Sequence, residues 1–358
     1  MKKVLSVLSV ATLSLSLVLA GCGSKPEGQP GGANQGGAEG GAQGGAAPTA
    51  RIGMVTDVGG VNDNSFNQSA WEGLQKLQKD LNMPKDNVSY LQSTTDSDYI
   101  PNLTQFVKDK WDLTWGIGAV IGDHVKKVAS ENPDSKLAII DAEVDAPNVE
   151  SVLFKEHEGS FLAGVVAAKM TKGKKVGFVG GMELPVIERF EAGFKAGVKA
   201  ADPSVEVVTV YTGAFDKPDL GKSTASQMYG QGVDIIFHAS GATGDGVFNE
   251  AIDRKSKGEN VWVIGVDKDQ SLTFGDKVTL TSMVKRVDEA VYSVSKNVID
   301  GKFEGGKIVW LGLAENGVGL ADTSKKNVPE DVLKLADEFK EKIVKGEITV
   351  PDKVESKK

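Results

Sequence analysis

The segment Ile52–Leu77, IGMVTDVGGVNDNSFNQSAWEGLQKL, contains the pattern that decides the fold. It begins with a short apolar run, Ile52–Thr56, and continues with Ala70, Leu74 and Leu77 at the spacing of one helical face. This order predicts a buried strand followed by a helix, the repeating unit of a parallel α/β sheet. Such sheets bind ligands at the carboxyl ends of their strands. The loop between the two elements is therefore expected to face a ligand.

That loop offers carboxylate and amide groups beside one aromatic ring. No basic residue lies in it to meet a phosphate, so the mixture suits a small, neutral, hydroxylated ring compound. Phe66 could also simply cover the helix face formed by Ala70 and Leu74, and the loop alone favours that interpretation. The side chains concerned are Asp57, Asn62, Asp63, Asn64, Ser65, Phe66 and Asn67.

The N-terminus has the features of a bacterial lipoprotein signal peptide, predicted over residues 1–21. A basic start precedes residues 4–19, which are apolar or small and too few to span a membrane. The motif Leu19-Ala20-Gly21-Cys22 resembles a lipobox, with cleavage before Cys22 and lipid added to its sulfur. A plain secretory signal is the alternative. Two lipid attachments would anchor the chain firmly, since one acyl chain alone binds a membrane only marginally.

A Gly- and Ala-rich stretch follows the cysteine. Residues 23–50 contain ten glycines and six alanines, with no apolar side chain larger than Ala. Such a segment cannot bury enough surface to fold. Residues 22–50 are therefore predicted to be a flexible tether that holds the globular part at the outer face of the cell membrane.

Composition excludes several classes of function. The formal charge is −8, and loss of the two lysines of the signal peptide makes it −8 − 2 = −10; an acidic surface argues against nucleic acid as partner. Cys22 is the single cysteine, so no intrachain disulfide forms. His124, His157 and His238 are the three histidines and lack metal-ligand spacing. Catalytic motifs are also missing. We expect no metal, no cofactor and no enzymatic activity.

Short apolar runs alternate with helical patterns along the rest of the chain, which predicts two doubly wound parallel-sheet lobes. The strand Ile52–Thr56 with its acidic loop and helix is echoed by Val176–Val179, the loop 180–183 and the helix after Pro185. We assign lobe one to residues 51–154 plus a return through 283–303. Lobe two takes residues 155–282 plus 304–358. Carboxyl ends of the two sets of strands would face each other across a cleft.

Other loops contain candidate ligand groups that sequence alone leaves ambiguous. Asp267 follows a predicted strand and could accept hydrogen bonds from two adjacent hydroxyls, or be a turn residue. Asp123 has the same ambiguity. The loop 241–246, GATGDG, lacks dinucleotide and P-loop spacing, which favours a tight turn over a cofactor role. Lys285 could supply one cation to the cleft, or be solvated with Arg286.

Five stretches together resemble the basic membrane protein family, purine nucleoside receptor lipoproteins that serve ABC importers. The resemblance implies a type I periplasmic-binding-protein fold, with three crossing strands and a cleft that closes on its ligand. The stretches are DVGGVNDNSFNQSAWEGL (57–74), NPDSKLAIID (132–141), SVLFKEHEGSFLAG (151–164), GGMELPVIERFEAGFKAG (180–197) and TSMVKRVDEA (281–290).

The resemblance also implies roles for single residues. A purine would stack between Phe66 and Phe215, one from each lobe. Asp57 and Asn67 match positions that read the base edge. The positions that match ribose contacts, together with a lysine near the sugar, are Asp123, Gly265, Asp267 and Lys285. Gly241 would line the same wall as these ribose contacts.

These features lead us to expect a monomeric, lipid-anchored receptor that delivers purine nucleosides to an ABC permease. A surface adhesin or signalling lipoprotein of the same fold is the main alternative. A secreted nucleoside-cleaving enzyme is a third, and it would need clustered carboxylates that hold a metal or activate water.

Overall fold

A computed structural model describes residues 48–354. The predicted signal peptide, Cys22 and the tether up to residue 47 lie outside the described residues. Thr49 and Ala50, placed in the tether by the sequence analysis, instead accept hydrogen bonds through their carbonyl groups from the side chain of Asn87. Within the described range, no helix is both long and apolar enough to cross a membrane.

Strands and helices alternate along the described chain. The strands are β1 Ile52–Val55, β2 Val88–Leu91, β3 Leu113–Ile117, β4 Leu137–Ile140, β5 Val149–Phe154, β6 Lys175–Gly180, β7 Glu206–Tyr211, β8 Ile235–Ala239, β9 Trp262–Asp267, β10 Thr279–Lys285, β11 Ile308–Leu311 and β12 Val318–Leu320. The α-helices are α1 Phe66–Asp80, α2 Tyr99–Lys108, α3 Gly122–Glu131, α4 Glu156–Met170, α5 Pro185–Ala201, α6 Pro218–Gly230, α7 Thr243–Ser256, α8 Ser271–Phe274, α9 Val287–Ile299 and α10 Glu330–Val344.

The strands form two six-stranded sheets, one in each lobe. The first has the order β11-β5-β4-β3-β1-β2 and is parallel throughout. The second has the order β12-β10-β9-β8-β6-β7, and its edge strand β12 alone runs antiparallel, to β10. In both sheets the strand order reverses beside the first strand, which makes a crevice at the carboxyl ends. The predicted fold class, two doubly wound lobes, is confirmed.

The opening segment folds as its pattern predicts. All four residues of β1 are buried, and α1 buries Ala70, Leu74 and Leu77 against the sheet. Gly73 lies on the side of α1 that faces α9, where an added Cβ would come within 2.3 Å of the carbonyl oxygen of Asp288. Glycine therefore allows the two helices to pack backbone to backbone.

The chain crosses between the lobes three times: at Lys155, at Arg286, and over residues 312–317. These crossings lie side by side, because the Lys155 N–H donates to the Leu311 carbonyl and the Arg286 N–H to the Gly317 carbonyl, both at 2.9 Å. A hinge made of short neighbouring segments lets two lobes rotate without loss of their own cores.

The lobe boundaries differ from those expected. Strand β10 belongs to the second sheet up to Lys285, so the return to lobe one starts at Arg286 and not at residue 283. Residues 308–311 pair with β5 in the first sheet, although residues 304–358 were assigned to lobe two. The sequence pattern missed β11 and β12 because both are short edge strands with partly exposed side chains.

Candidate functional site

The two sets of strand ends enclose a cavity of about 560 Å³, counting the space that opens to solvent. Side chains from both lobes line it. Leu184, Val186 and Ile187 give it an apolar wall, while carboxylates from several loops give it polar groups. Seven of the nine residues to which the resemblance assigns a ligand contact line this cavity: Asp57, Phe66, Asn67, Phe215, Gly241, Asp267 and Lys285.

Asp57 follows β1 and is held in a fixed orientation. Its Oδ1 accepts hydrogen bonds from the Gly59 N–H at 2.8 Å and from the Asn67 amide at 2.7 Å. The other oxygen, Oδ2, lies beside Gly118, whose added Cβ would stand 3.1 Å away. Burial raises the pKa of Asp57 to about 7, against the opposing effect of the Asn67 hydrogen bond. Asp57 can therefore accept or donate a hydrogen bond near neutral pH.

The amide of Asn67 makes three hydrogen bonds inside the protein. Its Oδ1 accepts from the Asp57 N–H at 3.2 Å, and its Nδ2 donates to Asp57 and to Asp63 Oδ2 at 3.0 Å. Asp63 also accepts from the backbone N–H groups of Ser65, Asn67 and Gln68, which otherwise lack partners at the start of α1. Asn67 thus orients Asp57, and it also lines the cavity, where its Oδ1 has a second acceptor position.

Two carboxylates stand at strand ends in a strained backbone conformation. Asp141, directly after β4, has φ +70°, and Asp267, the last residue of β9, has φ +62°. Non-glycine residues rarely adopt such values, and those that do cluster at functional sites. Burial raises the pKa of Asp267 to about 6 and also raises that of Asp141. The Oδ1 atom of Asp141 is buried without a hydrogen-bond partner among the described residues.

Lys285, the last residue of β10, is 2% exposed and places its ammonium group among carboxylates. Its Nζ lies 2.6 Å from Asp141 Oδ2 and 3.5 Å from Glu156 Oε1. The same atom lies 4.8 Å from the centre of the Phe66 ring. Burial tends to lower the pKa of Lys285, but these carboxylates outweigh it and the pKa is raised. Lys285 is therefore charged in the folded protein.

Three aromatic rings line the cavity, one from lobe one and two from lobe two. Phe66 opens α1, whereas Phe215 lies in the loop before α6. The Phe215 ring packs over Gly181, where an added Cβ would come within 2.3 Å of the ring. Phe190 of α5 is the third ring. Aromatic rings from opposite lobes therefore line the same cavity.

The other two residues to which the resemblance assigns a ligand contact do not line the cavity. Asp123 lies in the first turn of α3 and is exposed. The chain turns through Ala119–Ile121 after β3, and that 3₁₀ turn carries Asp123 away from the strand ends. Gly265 lies inside β9, where an added Cβ would come within 2.6 Å of Ser282 Oγ. Its lack of a side chain serves packing within lobe two.

Asp63, which lies in the predicted ligand-facing loop, also lines the cavity, whereas Gly118, Asp141 and Phe190 line it without having been predicted from the sequence. A signal for Asp141 existed, because it ends the quoted stretch NPDSKLAIID and directly follows a strand, as Asp267 does. Phe190 also lies inside a quoted stretch, but its helical spacing is equally that of a core residue. Gly118 has φ +114°, a conformation that the sequence does not reveal.

The mouth of the cavity is bridged by polar contacts between the lobes. Asn64 donates through its amide to Asp245 at 3.0 Å, and its carbonyl accepts from the Gln270 amide at 3.1 Å. Ser65 donates to Asp267 at 2.5 Å. One loop of lobe one therefore closes directly onto lobe two.

The histidines do not build a metal site in residues 48–354, where no group of three potential ligand side chains is placed to hold an ion. His238 is buried, with its ring 2.8 Å from the Gln270 side-chain oxygen. Burial lowers the pKa of His238 to about 4. It is a neutral core group in contact with a residue of the cavity mouth.

Residues 50–354 match the family model described as ABC transporter substrate-binding protein PnrA-like. The chain is 48% identical to the CD4+ T-cell-stimulating antigen of Listeria monocytogenes, over 84% of this chain and 88% of that protein. It is 38% identical to the ABC transporter nucleoside-binding protein BmpA of Lactococcus lactis subsp. cremoris, over 98% and 99%.

A solved structure is also similar to this one. The crystal structure of an ABC transporter system solute-binding protein from Aeropyrum pernix superposes with a TM-score of 0.78 at 32% identity, over 84% of this chain and 94% of that one. Sequence and fold agree, and the family binds substrates for transport and performs no catalysis. The chain therefore belongs to the PnrA-like family of ABC transporter substrate-binding proteins.

Proposed function

We propose that this protein binds a purine nucleoside in the cavity and delivers it to an ABC permease. The observation that carries the proposal is the pair of aromatic rings, Phe66 and Phe215, which line one cavity from opposite lobes. A planar base between them would gain stacking on both faces. Asp57 stands beside this position with one oxygen free to meet polar atoms at the edge of the base.

The carboxylates at the strand ends suit the sugar. Asp141 and Asp267 can accept hydrogen bonds from ribose hydroxyls, and Asp141 Oδ1 is a buried acceptor in need of a donor. A phosphate would instead bring negative charge toward these groups and toward Asp57 and Asp63. Like charges in a buried site cost several kcal/mol. The site thus favours nucleosides over nucleotides.

The name of one relative and the motif at Cys22 support delivery of the nucleoside to an ABC permease. The similar Lactococcus lactis protein is named a nucleoside-binding protein of an ABC transporter. The motif at Cys22 supports a lipid anchor at the outer face of the membrane, and we propose that the anchored protein is a monomer. Since the mouth contacts join the two lobes, ligand-driven closure supplies a shape that a permease can recognise.

Isothermal titration of the full-length protein in detergent with adenosine, guanosine, cytidine and AMP tests the proposed ligand. We expect binding of at least one purine nucleoside, and weaker binding of cytidine and AMP. Equal affinity for AMP and adenosine, or no purine binding, would contradict the proposal.

The proposed anchor is tested separately by Cys22→Ala. Cells grown with a labelled fatty acid should label the natural chain and not the variant, and the variant should leave the membrane fraction. Label on both proteins, or on neither, would contradict lipid attachment at Cys22.

A further inference from the structure

Lys285 is the single cationic side chain among the described residues that line the cavity. On its own it would attract an anionic ligand. Its ammonium group is instead paired within the protein, at 2.6 Å from Asp141 and 3.5 Å from Glu156. What surrounds Lys285 therefore decides whether the cavity presents a free positive charge.

Glu156 does not line the cavity but lies behind Lys285, with a side chain that is 0% exposed. Its second oxygen, Oε2, accepts a hydrogen bond from Arg189 Nε at 2.5 Å. Arg189 is itself mostly buried, and its guanidinium carbon lies 5.3 Å from the centre of the Trp310 ring. Contacts with two cationic side chains hold the Glu156 carboxylate in place.

The four side chains form a row of alternating charge across the hinge. Asp141 comes from lobe one, and Arg189 from α5 of lobe two. Between them, Lys285 adjoins the crossing at Arg286, and Glu156 adjoins the crossing at Lys155. The row sums to zero charge. Without Glu156 it would carry one net positive charge next to the cavity.

We propose that Glu156, held in place by Arg189, is a specificity-determining residue that makes the cavity reject phosphorylated ligands. It does so by keeping the ammonium group of Lys285 paired with protein carboxylates, so that no free cation meets a phosphate. The inference rests on the proposed function, because it concerns the choice between a nucleoside and its monophosphate. Glu156 itself touches no ligand.

The test is the ratio of two dissociation constants, for AMP and for adenosine, measured on the full-length protein by displacement of a fluorescent nucleoside. Glu156→Gln keeps the size of the side chain and removes its charge. We expect the AMP-to-adenosine ratio to fall by about tenfold, the effect of about 1.4 kcal/mol of electrostatic free energy. If Glu156 had only a structural role, its replacement would weaken the binding of AMP and adenosine equally and leave the ratio unchanged.

Glu188→Gln is the matched control. Glu188 is the neighbour of Arg189 on α5, carries the same charge, and contacts the Val354 N–H at 3.2 Å, away from the cavity lining. It changes the net charge of the protein by the same amount, so its ratio should equal that of the natural chain.

Glu156→Gln leaves Arg189 without its carboxylate and could prevent folding. The double variant Glu156→Gln, Arg189→Gln removes both charges, so the row stays neutral while Lys285 loses one of its two carboxylates. The ratio should therefore fall by a smaller factor than in a folded Glu156→Gln. An unchanged ratio in the folded variant, or an equal fall in Glu188→Gln, would overturn the inference while nucleoside binding stands. Absence of nucleoside binding by the natural chain would overturn the proposed function as well.

Discussion

Ser65 and Asp267 lie 202 positions apart in sequence and meet across the cleft, with the Ser65 hydroxyl donating to the Asp267 carboxylate at 2.5 Å. Ser65 belongs to the loop that opens α1 in lobe one, and Asp267 ends β9 in lobe two. Asp267 is at once a group that closes the mouth and a carboxylate that lines the cavity. Closure and ligand contact therefore depend on the same side chain.

Removal of this contact should speed ligand release. We expect Ser65→Ala to raise the nucleoside dissociation rate by about tenfold. A hydrogen bond to a charged group contributes about 1.5–3 kcal/mol, and hydrogen bonds from the ligand to Asp267 replace part of that stabilisation. Stopped-flow fluorescence measures the rate. Ser223→Ala, which removes an exposed hydroxyl bonded only to Leu220 in α6, is the control. Equal rates for both variants would show that the contact does not hold the cleft closed.

The two aromatic rings should each matter for affinity. Phe66→Ala and Phe215→Ala each remove one stacking face, worth about 1–3 kcal/mol per base, so titration calorimetry should show roughly tenfold to hundredfold weaker binding. Leu272→Ala, at a side chain that is 79% exposed, should bind like the natural chain. If either phenylalanine variant keeps full affinity, the stacked arrangement is wrong.

Gly181 should matter through Phe215 alone. In Gly181→Ala the new methyl group would stand 2.3 Å from the Phe215 ring and push it into the cavity. We expect about tenfold weaker nucleoside binding, because the displaced ring takes space that the base needs, and a lower melting temperature, because overpacking costs about 1–3 kcal/mol. Gly230→Ala is the control, since an added Cβ there meets no atom within 4 Å. Undiminished affinity in Gly181→Ala would mean that Phe215 does not border the ligand.

Asp57 makes the unliganded protein more stable in mild acid. Burial raises its pKa from 3.8 to about 7 in the folded state, so between these values the folded chain binds a proton that the unfolded chain has lost. The contribution of Asp57 to the free energy of unfolding is complete below about pH 4 and disappears as the pH rises through about 7. The free energy of urea unfolding should therefore fall less between pH 5 and 8 in Asp57→Asn than in the natural chain. Parallel pH profiles would contradict the raised pKa.

The sequence located one half of the site because that half is local. Asp57 and Phe66 lie in a single loop between a strand and a helix, so the rule that ligands meet the strand ends was enough to find them. The same rule could not separate Asp141 from Asp123. Both are acidic residues near strand ends, and only the 3₁₀ turn after β3, set by packing in lobe one, directs Asp123 to the solvent.

By itself, the sequence determined the two-lobed parallel fold, the acidic character of the cleft and the family, because hydrophobic periodicity and contiguous motifs are properties of neighbouring residues. Tertiary structure decided that β11 belongs to lobe one, that Asn67 orients Asp57, and that Lys285 is paired with Asp141 and Glu156. These outcomes depend on which groups meet after the lobes pack. Burial then fixes their pairing and their charge, since a buried polar group must find its partner within the protein.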